Sequence, residues 1–281
     1  MSSIVVTSPE TSPVPLVVTV PHAGRALDPA MGPALRLPAA RLRQLEDPWV
    51  DRLLDTVPAR GAWLLSTSWA RAVADVNRAA DEFAFTSAVP GWRATGKARV
   101  GLGVVPTRLA GAPIYAAPLS PEAVERRVTL AHRPWHDTLA ALVADLHDRF
   151  GEVFVLDGHS MPDGAQPPGL ARADVVLGDR WGTTAEPAWI AAVEDALAAE
   201  GFLTTRNRPY AGGYITRHYG RPAAGVHVVQ IELRRGLYMD EADFTPLAGY
   251  EPTRARLARV VGRLAAYLRA RRPGAFALAG E

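Results

Sequence analysis

Three short apolar runs constrain this chain more than any other feature, because each closes on a residue able to bind a metal or move a proton. They are Leu16-Val17-Val18-Thr19-Val20-Pro21-His22, Val153-Phe154-Val155-Leu156-Asp157-Gly158-His159 and Val226-His227-Val228-Val229-Gln230-Ile231-Glu232. Runs of this length, rich in Val, Ile and Leu, read as strands buried on both faces, as in a largely parallel sheet. In open α/β sheets, ligands bind just beyond the carboxyl ends of the strands. Two His and one Glu then share one sheet edge, within reach of a common ion, which is the outline of a metal hydrolase.

Strand-like and helix-like patterns alternate along the rest of the chain, so the expected fold is α/β: one domain, with a mixed, mostly parallel sheet flanked by helices. Residues 1–15 read as a flexible lead-in, 16–272 as the catalytic domain and 273–281 as a tail. Further strands are expected at Ala62–Thr67, Ala72–Val76, Glu152–Asp157, Asp174–Leu177 and Val226–Leu233. A helix is expected over Pro48–Val57, with Asp47 as its N-cap and Pro48 at the first helical position. A long helical pattern covers Ser120–Phe150, interrupted at Pro134, and others cover Glu186–Glu200 and Thr253–Arg271. Met161–Gly169 reads as a loop, and Tyr210–Gly220 as a glycine-rich segment.

Composition narrows the chemistry. With no cysteine, a metal has only His and carboxylate to sit on, and no thiol nucleophile or disulfide exists. The net charge is +2, and basic residues are scattered among acidic ones, so nucleic acid is not an expected partner. Leu16–Val20 is too short for a signal-peptide core or a membrane span. The expected compartment is the cytoplasm, with no membrane partner.

Several signals lead elsewhere and are set aside. His132 and His136 have helical i, i+4 spacing, but Arg133 follows the first His where a metalloprotease helix needs Glu, and Pro134 interrupts it. Gly101-Leu102-Gly103 has Pro106 where a dinucleotide loop needs its third glycine. Gly158-His159-Ser160-Met161-Pro162 lacks the last glycine of a nucleophile elbow, so Ser160 is read as a turn residue or a group orienting His159.

Seven segments, in order over about residues 16–240, together resemble the N-formylglutamate amidohydrolase (N-formylglutamate deformylase) family. They are Val20-Pro21-His22-Ala23-Gly24; Asp47-Pro48-Trp49-Val50-Asp51-Arg52-Leu53; Arg71-Ala72-Val73-Ala74-Asp75-Val76-Asn77-Arg78; Asp157-Gly158-His159-Ser160-Met161; Ala173-Asp174-Val175-Val176-Leu177-Gly178; Asn207-Arg208-Pro209-Tyr210-Ala211-Gly212-Gly213-Tyr214-Ile215-Thr216; and Gln230-Ile231-Glu232-Leu233. The resemblance implies a zinc-carboxypeptidase-like (phosphorylase/hydrolase-like) fold, related to the aspartoacylase/succinylglutamate desuccinylase group. It implies His22, Asp47 and His159 as metal ligands, with Asp51 the alternative to Asp47, and Glu232 as general base.

It further implies that Asn77 and Arg78 hold a substrate carboxylate, a task that suits the planar guanidinium fork. Arg71 is expected to polarise the formyl oxygen or grip a second carboxylate. Tyr214, Arg217 and His218 are expected to line the pocket. The cofactor is Zn2+ or another divalent ion such as Fe2+, Co2+ or Mn2+. The expected substrate is a small acidic N-acyl amino acid, foremost N-formyl-L-glutamate, cleaved to formate and L-glutamate as in histidine breakdown. Alternatives are another N-acyl or N-formimidoyl compound, a metal-independent serine hydrolase using Ser160, and a non-catalytic binding protein.

Overall fold

The computed structural model describes residues 3–166 and 172–271. Its strands are β1 (Ile4–Thr7), β2 (Leu16–Val20), β3 (Trp63–Thr67), β4 (Arg108–Leu109), β5 (Ala112–Pro113), β6 (Val153–Met161), β7 (Val175–Gly178), β8 (Thr204–Arg206) and β9 (Val226–Arg234). All but the β4–β5 hairpin form one sheet in the order β1-β3-β2-β6-β9-β7-β8. β3, β2, β6 and β9 run parallel, and β7 and β8 run parallel to each other. The pairings of β1 with β3 and of β7 with β9 are antiparallel. The sheet is thus mixed and mostly parallel.

Alternation along the central strands feeds two separate cores. Leu16, Val18, Phe154, Leu156, Val229 and Ile231 pack against helices α1 (Val50–Leu53), α5 (Pro187–Ala199) and α7 (Tyr250–Ala270). Val17, Val153, Val155, Val226 and Val228 face the other way, onto α4 (Arg133–Phe150) and α6 (Tyr214–Tyr219). Because side chains alternate with period two, the α4 face of β6 continues as Asp157 and His159, and that of β9 as Gln230 and Glu232. The same face is apolar under the helix and polar beyond it. That switch places the chemistry at the carboxyl ends of the strands.

Several local expectations are corrected. Residues 4–7, inside the expected lead-in, form edge strand β1 against β3. Ala72–Val76 is not a strand; it turns, and its residues pack into a satellite core with Met31, Leu42 and Ile114. β6 runs past its predicted end at Asp157, so His159 lies within the strand and is paired in register with Glu232 of β9. The long helical pattern divides into α3 (Pro121–Arg127), a π turn over Val128–His132, and α4. Pro134 sits at the start of α4, where its missing N–H costs nothing. A short helix, α2 (Gly96–Arg99), opens on the Thr95 hydroxyl. The expected tail, and residues 167–169 of the expected loop, lie outside the described residues. Among the described residues no helix is long and apolar enough to cross a membrane.

Candidate metal centre and its cavity

Asp47 decides how the site closes. The expected helix shrinks to α1, and its N-cap is Trp49 in left-handed backbone (φ 71°) with no side-chain cap bond. The Asp47 carboxylate is therefore free of capping and turns into the protein. Its backbone N–H donates to His22 O at 3.0 Å, which ties this segment to the end of β2. Gly158 allows α1 to approach, since a Cβ there would stand 2.9 Å from Leu54 Cδ1 and 3.1 Å from Thr19 O.

Asp47 Oδ2 lies 3.3 Å from His22 Nδ1 and 3.1 Å from His159 Nδ1. One ligand atom from each of the three residues falls within 4.8 Å of the other two, and all three side chains are buried. Asp51, the alternative third ligand, is not in this group; its carboxylate is 40% exposed beside Arg52.

Behind each imidazole stands a second carboxylate that the sequence reading did not assign. His22 Nε2 is 2.8 Å from Asp75 Oδ1, and His159 Nε2 is 3.0 Å from Asp157 Oδ2. An Nε2–H donated to a carboxylate leaves Nδ1 as a lone-pair donor aimed at the centre, the usual second layer of a histidine metal site. Asp157 is fixed in turn by the Thr19 hydroxyl at 2.6 Å. Asp75 also binds Arg71 Nε at 2.9 Å and the Asn77 N–H at 2.9 Å. The sequence did carry a signal for Asp157, because it lies two residues before His159 on one strand face. Asp75 carried none, since its partner is 53 positions away.

Ser160 is corrected: it touches Asp47, not His159. Its hydroxyl donates to Asp47 Oδ1 at 3.1 Å and accepts from Arg235 Nε at 3.1 Å. Arg235, also unassigned by sequence, donates to Glu46 O at 2.6 Å and to Asp47 Oδ1 at 3.3 Å. With its proton committed to a carboxylate, Ser160 is not arranged as a base-activated nucleophile.

Asp47, Asp75, Asp157 and Glu232 are all buried, with Arg71 paired to Asp75 and Arg235 to Asp47. Burial works against ionising Asp47, but the His159 and His22 imidazoles beside it outweigh that and hold the carboxyl well below its usual range. Burial likewise opposes a charged His159, and the Asp157 carboxylate overrides it, raising the imidazole well above its usual value; an ion at Nδ1 would take the place of the proton there. Glu232 differs: burial pushes it up to about 7, the more so because Asp47 is near. Gln230 Nε2 donates to Glu232 Oε1 at 2.8 Å, which leaves Oε2 for other work.

The centre opens into a cavity of about 460 Å³ that brings His22, Asp47, His159 and Glu232 together with Arg71, Asn77 and Arg78. Arg71 is anchored on Asp75 and extends to the cavity wall. Arg78 makes a 3.8 Å approach to Asp75, while its Nε is buried with no hydrogen-bond partner. The nearby Asp81 carboxylate is held by Arg93 instead, at 2.6 and 2.7 Å. The Asn77 amide is spent on protein: Oδ1 accepts from Ile215 N at 2.8 Å, and Nδ2 lies 3.2 Å from His159 Nε2 and 3.5 Å from Gln230 Oε1. Tyr214 and Arg217 line an adjoining recess of about 370 Å³. His218 lines neither space and stacks on Tyr214 at 4.9 Å. His132 and His136 are held by backbone carbonyls, Nε2 to Arg78 O and Nε2 to Val76 O, each at 2.8 Å.

The fold and the centre define a class: α/β proteins whose site lies at the carboxyl ends of parallel strands and offers nitrogen and oxygen donors to a divalent ion. The chain belongs to the N-formylglutamate amidohydrolase family, whose sequence model matches residues 14–239. An N-formylglutamate deformylase of Pseudomonas aeruginosa is 35% identical over 271 residues, covering 92% of this chain and 95% of the relative. One from Pseudomonas putida is 30% identical, covering 82% of this chain and 84% of the relative. The crystal structure of N-formylglutamate amidohydrolase from Ralstonia eutropha JMP134 superposes with a TM-score of 0.89 at 35% identity, covering 96% of this chain and 99% of that one.

Proposed function

We propose that this protein is a metal-dependent amidohydrolase that cleaves N-formyl-L-glutamate to formate and L-glutamate, as a step of histidine breakdown. The observation that carries the reading is one cavity holding the His22–Asp47–His159 cluster, Glu232 and three arginines, in a chain whose relatives are named for that activity. His22 Nδ1, His159 Nδ1 and Asp47 Oδ2 would hold the ion, and two imidazoles with one carboxylate match the donor set of catalytic zinc. When bound, a divalent cation acidifies water and polarises a carbonyl, which is the chemistry amide hydrolysis needs.

Glu232 is the proton carrier. A carboxyl near pKa 7 accepts a proton from the attacking water and returns it to the departing amine without a large penalty either way. Gln230 holds Oε1, so the exchange falls to Oε2. Arg71, fixed on Asp75, supplies positive charge for the oxygen of the tetrahedral intermediate. Arg78 takes the substrate carboxylate with the guanidinium it contributes to the cavity wall. Asn77 supports the clamp from behind, because its amide is already engaged by Ile215 N and Gln230 Oε1.

Formate release from N-formyl-L-glutamate tests the reading. Glu232→Gln is expected to stay folded and to lower turnover by roughly two to four powers of ten. Wild-type turnover in that variant would remove Glu232 from the reaction.

A further inference from the structure

The reaction cavity continues into the recess lined by Tyr214 and Arg217. The two spaces share Arg78, Lys97, Gly212 and Gly213 as lining residues. The boundary between them is formed by the Arg78 and Lys97 side chains and by glycine backbone, where Gly212 adopts φ 107° and a Cβ on Gly213 would collide with the Asn77 amide. A ligand held at this boundary reaches both spaces.

The recess is cationic, and its charges are not spent. Arg180, Arg217, Lys97 and Arg78 line it. Among the described residues no ion pair engages Lys97, Arg180 or Arg217, although the chain is otherwise laced with Arg–carboxylate pairs. The one lining carboxylate, Glu82, is buried and accepts the Thr95 hydroxyl at 2.7 Å. Arg93, also on the wall, is committed to Asp81. Arg180 donates through Nη1 to Gly212 O at 3.2 Å, which fixes its guanidinium at the boundary. Its backbone is held at φ 50° by the Asn207 side chain, which accepts from Asp179 N at 3.1 Å and Trp181 N at 3.4 Å. Backbone in this region is strained for a side-chain-bearing residue and persists only where the surroundings impose it. Lys97 is the only lysine among 31 basic residues, and it borders both spaces.

We propose that Lys97 and Arg180 form a second anion subsite, which binds the side-chain carboxylate of the substrate and restricts the enzyme to acidic N-formyl amino acids. The inference rests on the function proposed above and deepens it. With Arg78 on the α-carboxylate and Glu232 at the formyl group, a glutamyl side chain crosses the boundary and ends among these cations. Two cations donating to a carboxylate discriminate against an uncharged amide, because the amide offers them only one acceptor and no charge.

The single lysine makes the test direct. Acetic anhydride is applied to the native protein, and acetylation of Lys97 is followed by peptide mapping in the presence of L-glutamate or L-glutamine. L-Glutamate is expected to slow acetylation of Lys97 several-fold, and L-glutamine is not. In parallel, Lys97→Met and Arg180→Met are expected to lower kcat/KM for N-formyl-L-glutamate roughly ten- to a hundredfold, the scale of a lost charge-assisted hydrogen bond. The same variants should leave N-formyl-L-glutamine within about threefold of wild type. Equal losses on both substrates, or equal protection by both amino acids, would overturn the subsite. If the wild-type protein releases no formate yet L-glutamate alone protects Lys97, the reaction assigned above fails and the subsite stands. If formate is released but the glutamate-to-glutamine ratio survives both substitutions, the reaction stands and the subsite fails.

Discussion

Asp157→Asn isolates the support behind the metal centre. Asp157 is fully buried, does not line the cavity, and has two side-chain partners, Thr19 Oγ1 at 2.6 Å and His159 Nε2 at 3.0 Å. A hydroxyl can donate or accept, so Thr19 can turn to accept the new amide N–H while the amide oxygen keeps the His159 Nε2–H. Geometry therefore survives, and what disappears is one negative charge behind the imidazole. That charge is the largest influence raising the basicity of His159 against the burial that lowers it. A less basic Nδ1 is a weaker ligand, and loss of such a partner costs about 10- to 100-fold in metal affinity, or roughly 1.4–2.7 kcal/mol. The assay is competition for Zn2+ against a chromogenic chelator at fixed pH, with thermal unfolding of the metal-free protein as a control for folding. Unchanged zinc affinity in a fully folded variant would refute the idea that Asp157 tunes a ligand.

Two further outcomes concern stability. Burial, aided by the charge of His132, pushes His136 down to about 3 from the ordinary 6.5, so unfolding takes up a proton between those values and stability falls as pH drops through that window. The loss attributable to this group is about 2 kcal/mol at pH 5, and His136→Gln should flatten urea-derived stability against pH by up to ~1.4 kcal/mol per unit; an unaltered slope would contradict this. Gly213→Ala forces a Cβ into the Asn77 amide, which accepts from Ile215 N and packs beside the His159 ring, so a loss of roughly 1–3 kcal/mol and weaker zinc retention are expected. A thermal midpoint and zinc affinity equal to wild type would show that the contact relaxes freely.

Much of this arrangement was readable from residue order. β2, β6 and β9 declare themselves because burial on both faces demands uninterrupted apolar residues, and the polar residues that close them fall at the sheet edge. Asp47 was legible only through resemblance. Locally it has every mark of an N-cap, and what cancels that role is the left-handed turn at Trp49, whose indole is anchored on Phe244 O almost two hundred residues on. Ala72–Val76 has strand-like composition, but its backbone is claimed by turns: Asp75 N bonds to Val104 O, and Asn77 N to the Asp75 side chain. Arg235 and Asp75 stayed hidden because their partners are distant in sequence and their residue types are common on surfaces. The positions that escape the sequence are those set by contacts between segments, and most of the support for the centre is of that kind.

The central claim is that two imidazoles and an aspartate share one catalytic ion opposite Glu232. It is tested most directly by formate release from N-formyl-L-glutamate before chelation, after removal of metal, and after titration with Zn2+. The expected result is turnover that disappears on chelation and returns as one equivalent of zinc per chain is restored. Full turnover by verifiably metal-free protein would contradict it.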